Sequence, residues 1–246
     1  MPNPTANTEP RPANKDEPSG AGAATLVDKA MASIRHDILT GALGPDAKLR
    51  IHELGARYGI GATPIREALS RLTSEGLVRA MMQRGFRVSP MSRADLADIT
   101  ATREVIELEA LRRSMASGGD AWEADIVAAL YRLEKFARLD PTALQAQRNE
   151  FDLAHKRFHG ALLAACGSPR LLELHSALYD QAYRYRYLMM GELLRRPRDL
   201  GAAHADLARA VLARDVEAAC GRLAQHLRST LDIVYPAMEK STARVA

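Results

Sequence analysis

Residues 51–88 read IHELGARYGIGATPIREALSRLTSEGLVRAMMQRGFRV, and this stretch decides the fold. Ile51 to Tyr58 is an amphipathic run that predicts a helix, and Gly59, Ile60 and Gly61 interrupt it with a tight glycine-bearing turn. Thr63 offers a capping hydroxyl and Pro64 suits a first helical position, so a second helix is expected to start here. Ile65, Ala68, Leu69 and Leu72 share one face of it, while Arg66, Glu67, Ser70 and Arg71 share the other. One face packs; the other is free to read DNA. Gly76 ends the helix, and the runs Leu77–Met82 and Phe86–Val88 flank Gln83, Arg84 and Gly85 as a basic hairpin. The order is that of a winged helix-turn-helix.

Charge is partitioned in the same sense. Residues 25–90 carry ten Lys and Arg against six Asp and Glu, whereas residues 91–246 carry 22 against 21. The basic excess sits where binding by phosphate neutralisation needs it.

A chain of 246 residues with 47% hydrophobic residues suits two modest domains. Residues 1–24 hold five of the twelve prolines and almost no bulky apolar side chain, which predicts a disordered leader. They lack the apolar run of a signal peptide, and no later stretch reaches the length of a membrane span, so a cytoplasmic protein is expected. Cys166 and Cys220 form no CxxC motif and read as small buried apolar residues.

From residue 91 the pattern is helical. Ser92 with Asp95 and Asp120 with Glu123 have capping-box spacing, and Asp140-Pro141 and Ser168-Pro169 are cap-plus-proline starts. A shorter helix is expected from about Arg198 to Ala213, and Asp215 should cap the last one. The expected fold is mainly α: a winged domain at 25–90, an antiparallel bundle of about six helices at 91–240, and a tail at 241–246.

Four of the seven histidines can be brought to one point by geometry. His155 and His159 are one turn apart on one helix. His204 lies ten residues before the corner near Arg214 and His226 twelve after it, which puts them level across an antiparallel pair, at roughly 15 and 18 Å from the corner. Inward histidines at matching depth on three helices are a usual way to build a metal site in a bundle.

TPIREALSRLTSEGLV followed by a basic Arg-Gly wing resembles the GntR superfamily of bacterial transcription regulators. Gly61 and Ala62 stand where that family has a polar-basic pair, and Gly55 stands where a helix-favouring alanine is usual. The resemblance implies that His52, Thr63, Arg66, Arg71, Arg84 and Gly85 contact DNA. The helical half is similar to the FCD domain of the FadR-like branch, and the two matches together span roughly residues 25–240. In that family an Asp and a His four residues apart, followed by two further His, hold a metal beneath an effector pocket. His159, His204 and His226 match three of these positions, and His155 stands where the family has Asp. An imidazole in place of a carboxylate makes the donor set softer and more neutral, which favours zinc, nickel or copper over manganese or magnesium. The resemblance further implies a small carboxylate effector gripped by Arg103. The segment LYDQAYRYRYL adds Tyr179, Tyr183, Arg184 and Arg186, of which Tyr179 and Arg186 share a face.

The expected function is a metabolite-responsive repressor, released from a palindromic operator by the effector and acting as a homodimer, since one winged domain covers only a half-site. Two alternatives stand beside it: a DNA-binding dimer with a purely structural bundle, and a helical metalloenzyme. HKRFH has the HxxxH spacing but lacks the glutamate that serves zinc proteases as general base.

Overall fold

The computed structural model describes residues 25–82, 84–193 and 201–242. The expected leader at 1–24, Gln83 of the expected hairpin tip, the helix start expected near Arg198 and residues 243–246 of the expected tail lie outside the described residues.

The chain opens with a helix that the reading outward from residue 51 does not include: α1, Leu26–Leu39. Its signal is present in the sequence, because Thr25 accepts from the Asp28 amide while the Asp28 carboxylate takes the Thr25 N–H, both at 3.1 Å. Ala30, Ile34 and Ile38 recur every four residues and put one stripe into the core. Strand β1, Lys48–Leu49, leads into α2, Ile51–Tyr58, and α3, Ala62–Ser74; β2, Val78–Met81, and β3, Gly85–Val88, form the wing. The sheet is antiparallel in the order β1-β3-β2, with Arg79 opposite Arg87 and Met81 opposite Gly85. Ile65, Ala68, Leu69 and Leu72 are buried against α1 and the sheet as expected.

Two local expectations need correction. The residue preceding α3 is Gly61, so Thr63 caps nothing and Pro64 falls in the third helical position. Proline is tolerated there because a first-turn amide has no intrahelical acceptor to lose. At Gly55, where a helix-favouring alanine would be usual, the structure supplies a reason for glycine. A Cβ there would stand 2.9 Å from the Ile60 carbonyl oxygen, and the Ile60 amide donates back to the Gly55 carbonyl at 3.1 Å. The turn folds onto the helix at this residue, and only glycine leaves room for it.

Seven helices, rather than six, follow the wing among the described residues: α4, Arg93–Ser117; α5, Asp120–Ala137; α6, Pro141–Ala146; α7, Arg148–Leu163; α8, Pro169–Leu193; α9, Ala202–Leu212; and α10, Val216–Thr242. The segment expected as one helix from Asp140 breaks at Gln147, whose φ of −107° and ψ of 25° end α6 and start α7. Ser92, Asp140 and Asp215 cap as expected, each accepting from an amide two or three residues on. Asp120 is already helical, and with Glu123 it complements the dipole of α5 instead.

One apolar core joins α4, α5, α7, α9 and α10, from Leu111 and Trp122 to Phe158, Val211 and Leu223. A second cluster, Leu96, Ile99, Ala182, Tyr185 and Val234, ties α4, α8 and α10 together next to the winged domain. No described helix is long and apolar enough to cross a membrane.

Candidate functional site

His155 and His159 project from α7 into the space between α8, α9 and α10 because Phe151, Phe158 and Leu162 fix that face of α7 in the bundle. His204 comes from α9 and His226 from α10, level with each other as the corner arithmetic requires. The six ring-to-ring distances among the four range from 4.6 to 5.8 Å. One donor atom from each lies within 4.8 Å of all the others. Burial holds the His155 and His159 imidazoles well below their usual range, and burial, with His204 and Arg103 beside it, brings His226 down to about 3. These three imidazoles are therefore neutral at pH 7, with lone pairs available.

A divalent transition ion fits this donor set. Both nitrogens of the buried His159 lack a hydrogen-bond partner among the described residues, which is costly unless something coordinates there. His155 is oriented from behind. Its Nδ1 lies 2.7 Å from the Tyr179 hydroxyl, which lies 3.0 Å from Asp152 Oδ1. Burial raises the Tyr179 pKa well above its usual value, so the phenol keeps its proton. The hydroxyl donates to the carboxylate and accepts from Nδ1–H, an assignment that leaves His155 Nε2 as the lone pair.

Above this ring lie two arginines, each matched by an acid. Arg103 on α4 donates through Nε to Glu107 Oε1 at 2.6 Å, and Arg186 on α8 reaches Asp152 Oδ1 at 3.0 Å. Burial disfavours a charged Glu107, but Arg103 and His175 outweigh it and bring its pKa down to about 2. Burial pushes Asp152 above its usual range although Arg186 stands beside it. Tyr179 is the hub: its ring lies within 6.4 Å of the His155, His159 and His175 rings and of the Arg103 and Arg186 guanidiniums.

The structure thus brings Arg103, Tyr179 and Arg186 to the histidine ring, while Arg184 turns away to the Ser89 carbonyl at 2.6 Å. Sequence reasoning missed Glu107 and Asp152. Each carried a signal, four residues after Arg103 and three before His155, the spacings at which helical side chains meet.

On the winged domain Thr63, Arg66, Arg71, Arg84, Gly85 and His52 are all exposed. They lie on α3, the wing turn and the start of α2. Arg71 is engaged with Glu67 at 2.6 Å and lies 3.7 Å from Asp28. Arg79 and Arg87 add positive charge to the sheet, tied respectively to the Asp46 carboxylate and carbonyl.

Comparison with known proteins agrees with both halves. Residues 26–88 match the bacterial regulatory proteins of the gntR family, and residues 98–229 match the FCD domain. The HTH-type transcriptional repressor GlaR of Escherichia coli K12 is 39% identical over 211 residues, covering 83% of this chain and 94% of its own length. The uncharacterized regulator BphR of Paraburkholderia xenovorans is 37% identical, with 87% of each chain covered. Among solved structures, E. coli McbR/YncC superposes with a TM-score of 0.68 at 22% identity, over 87% of this chain and 99% of that one.

Proposed function

This chain belongs to the GntR family of bacterial transcription regulators, with an FCD domain as its second half, and we propose that it is a repressor whose DNA affinity is set by a small carboxylate bound over a metal in that domain. It is a DNA-binding regulator and not an enzyme. The observation that carries the proposal is the convergence of four histidine donor atoms within 4.8 Å directly beside Arg103.

His155, His159, His204 and His226 would hold the ion, and an all-nitrogen set favours zinc or nickel over manganese. A bound divalent ion would supply an uncompensated positive charge that draws an anion into the bundle. The protein's own arginines do not supply that charge, since Arg103 is paired with Glu107 and Arg186 with Asp152. Arg103 instead orients the carboxylate by its planar fork, and Tyr179 and Asp152 keep His155 in register.

On the DNA side, Arg66 at the start of α3 would enter the major groove, with Arg84 and Gly85 at the neighbouring minor groove and His52, Thr63 and Arg71 at the backbone. Two copies would bind a palindromic operator as a homodimer in the cytoplasm, because one winged domain covers a half-site only. Repression is supported by the name of the E. coli relative.

Selection of bound duplexes from a random pool, together with elemental analysis of protein purified without a nickel column, tests this reading. A palindromic consensus and about one transition ion per chain are expected. Protein that enriches no sequence, or that takes up neither zinc nor nickel, would overturn the corresponding half.

A further inference from the structure

We propose that Glu107 and His175 form a second recognition point in the effector site, one that selects a carboxylate bearing an O–H or N–H donor on a neighbouring carbon. The inference rests on the bundle being the effector site and names the class of ligand that fits it.

Glu107 is completely buried, and its two oxygens are used unequally. Oε1 accepts from Arg103 Nε at 2.6 Å and lies 3.1 Å from His175 Nδ1, whereas Oε2 has no hydrogen-bond partner among the described residues. His175, 4% exposed, is left open as well: Nδ1 lies 3.1 Å from Glu107 Oε1, yet neither ring nitrogen makes a hydrogen bond with a described residue. An uncharged imidazole keeps one acceptor nitrogen and one donor N–H, on Nδ1 or on Nε2, so His175 can meet a ligand hydroxyl or amine in either tautomer. One unmet acceptor, Glu107 Oε2, and an imidazole without a hydrogen bond are thus buried together between α4 and α8. Both are joined to the histidine ring through Tyr179, whose ring is 6.0 Å from His175 and 6.4 Å from His159.

Buried acceptors demand donors. A plain carboxylate brings only further acceptors, so it would complete Arg103 and the metal while leaving Glu107 Oε2 unmet. A hydroxyl or amino group meets that oxygen. The spacing follows from the helix: Arg103 and Glu107 are one turn apart and directly bonded, so a group on Glu107 lies only a few bonds from a carboxylate on Arg103. The 2- and 3-hydroxy acids and 2-amino acids have this separation. A site built to hydrogen-bond a donor rejects the analogue lacking it far more strongly than an apolar pocket rejects a missing methylene.

The test is calorimetric titration of zinc-loaded full-length protein with matched acids: propionate against lactate and alanine, succinate against malate, glutarate against 2-hydroxyglutarate. The donor-bearing member of at least one pair should bind on the order of tenfold tighter or more. His175→Phe, which keeps the volume, and Glu107→Gln, which gives up the carboxylate, should level that preference. Equal or tighter binding by the plain acids to wild-type protein overturns this inference and leaves the carboxylate reading intact. Binding by none of these acids overturns the carboxylate reading, and this inference with it. A preference that persists undiminished in folded His175→Phe protein removes His175 from the site.

Discussion

Gln181 Nε2 donates to the Glu75 carbonyl at 2.7 Å, so α8 of the bundle is bonded to the residue that caps the C-terminus of α3. The contact is close on both sides. Gly76, with φ of 75°, has a backbone conformation that strains any side chain, and a Cβ there, 2.6 Å from the Gln181 amide nitrogen, would displace the Gln181 side chain from this bond. Neighbouring residues repeat the connection: Asp180 faces Arg35 at 3.9 Å, and Arg184 holds the Ser89 carbonyl. Two residues before Gln181, Tyr179 is bonded to His155. Helix α8 therefore carries the hydroxyl that supports His155 and the winged-domain contacts within a few residues of one another, so a shift of α8 reaches both sites.

Gln181→Ala should therefore weaken the coupling between sites rather than either site. Effector and DNA affinities measured separately should change by less than the coupling factor, while the factor by which effector lowers DNA affinity should fall toward one from a usual range of about 5 to 150. Coupling undiminished in this variant would place the transmission elsewhere.

Arg66→Ala should cost about 1 to 3 kcal/mol of specific binding and relax selectivity at one base position of each half-site. Arg71→Ala, which removes a backbone contact, should weaken all sequences alike and reduce the salt slope. Competition binding across single-base operator variants separates the two. Were Arg66→Ala to retain full selectivity, α3 would not be the reading helix.

Tyr179→Phe removes the hydroxyl that fixes His155 while retaining the ring. Loss of such an orienting partner lowers metal affinity by roughly 10- to 100-fold. A chelator-competition titration reads this directly, and stripping the metal should lower the melting temperature of wild-type protein. Unchanged zinc affinity in Tyr179→Phe would mean that the hydroxyl does not position His155.

Acid should destabilise the metal-free protein for a reason that can be worked out at His226. Its folded pKa is lowered from 6.5 to about 3, and His155 and His159 shift the same way, in each case chiefly through burial. The unfolded chain then takes up protons first, so stability present above about pH 6.5 is lost progressively as pH falls toward 3. His226→Gln should flatten part of that slope in thermal melts. A metal-free melting temperature that is level from pH 6.5 to 4 would contradict the burial of a neutral ring.

Much of this was legible because short-range chemistry set it. The α3 stripe, the wing and the caps at Ser92, Asp140 and Asp215 depend on neighbours within a few residues. The histidine ring was legible too, since helical rise alone levels His204 with His226. Helix α1 was passed over although Thr25 and Asp28 marked it, and the break at Gln147 has no glycine or proline to signal it. Glu107 and Asp152 were missed for another reason. A lone acid on a helix reads as solvated, and only packing against α8 turns these two into buried partners of Arg103, Arg186 and His175.

The most direct measurement is the anisotropy of labelled operator DNA bound to zinc-loaded protein, titrated with the tightest-binding acid found, for wild type and Arg103→Ala. DNA affinity should fall at least about fivefold in wild type and stay constant in the variant, and operator should weaken acid binding to wild type by the same factor. DNA affinity that ignores the acid, or falls equally in Arg103→Ala, would contradict control of DNA binding from the histidine and arginine site.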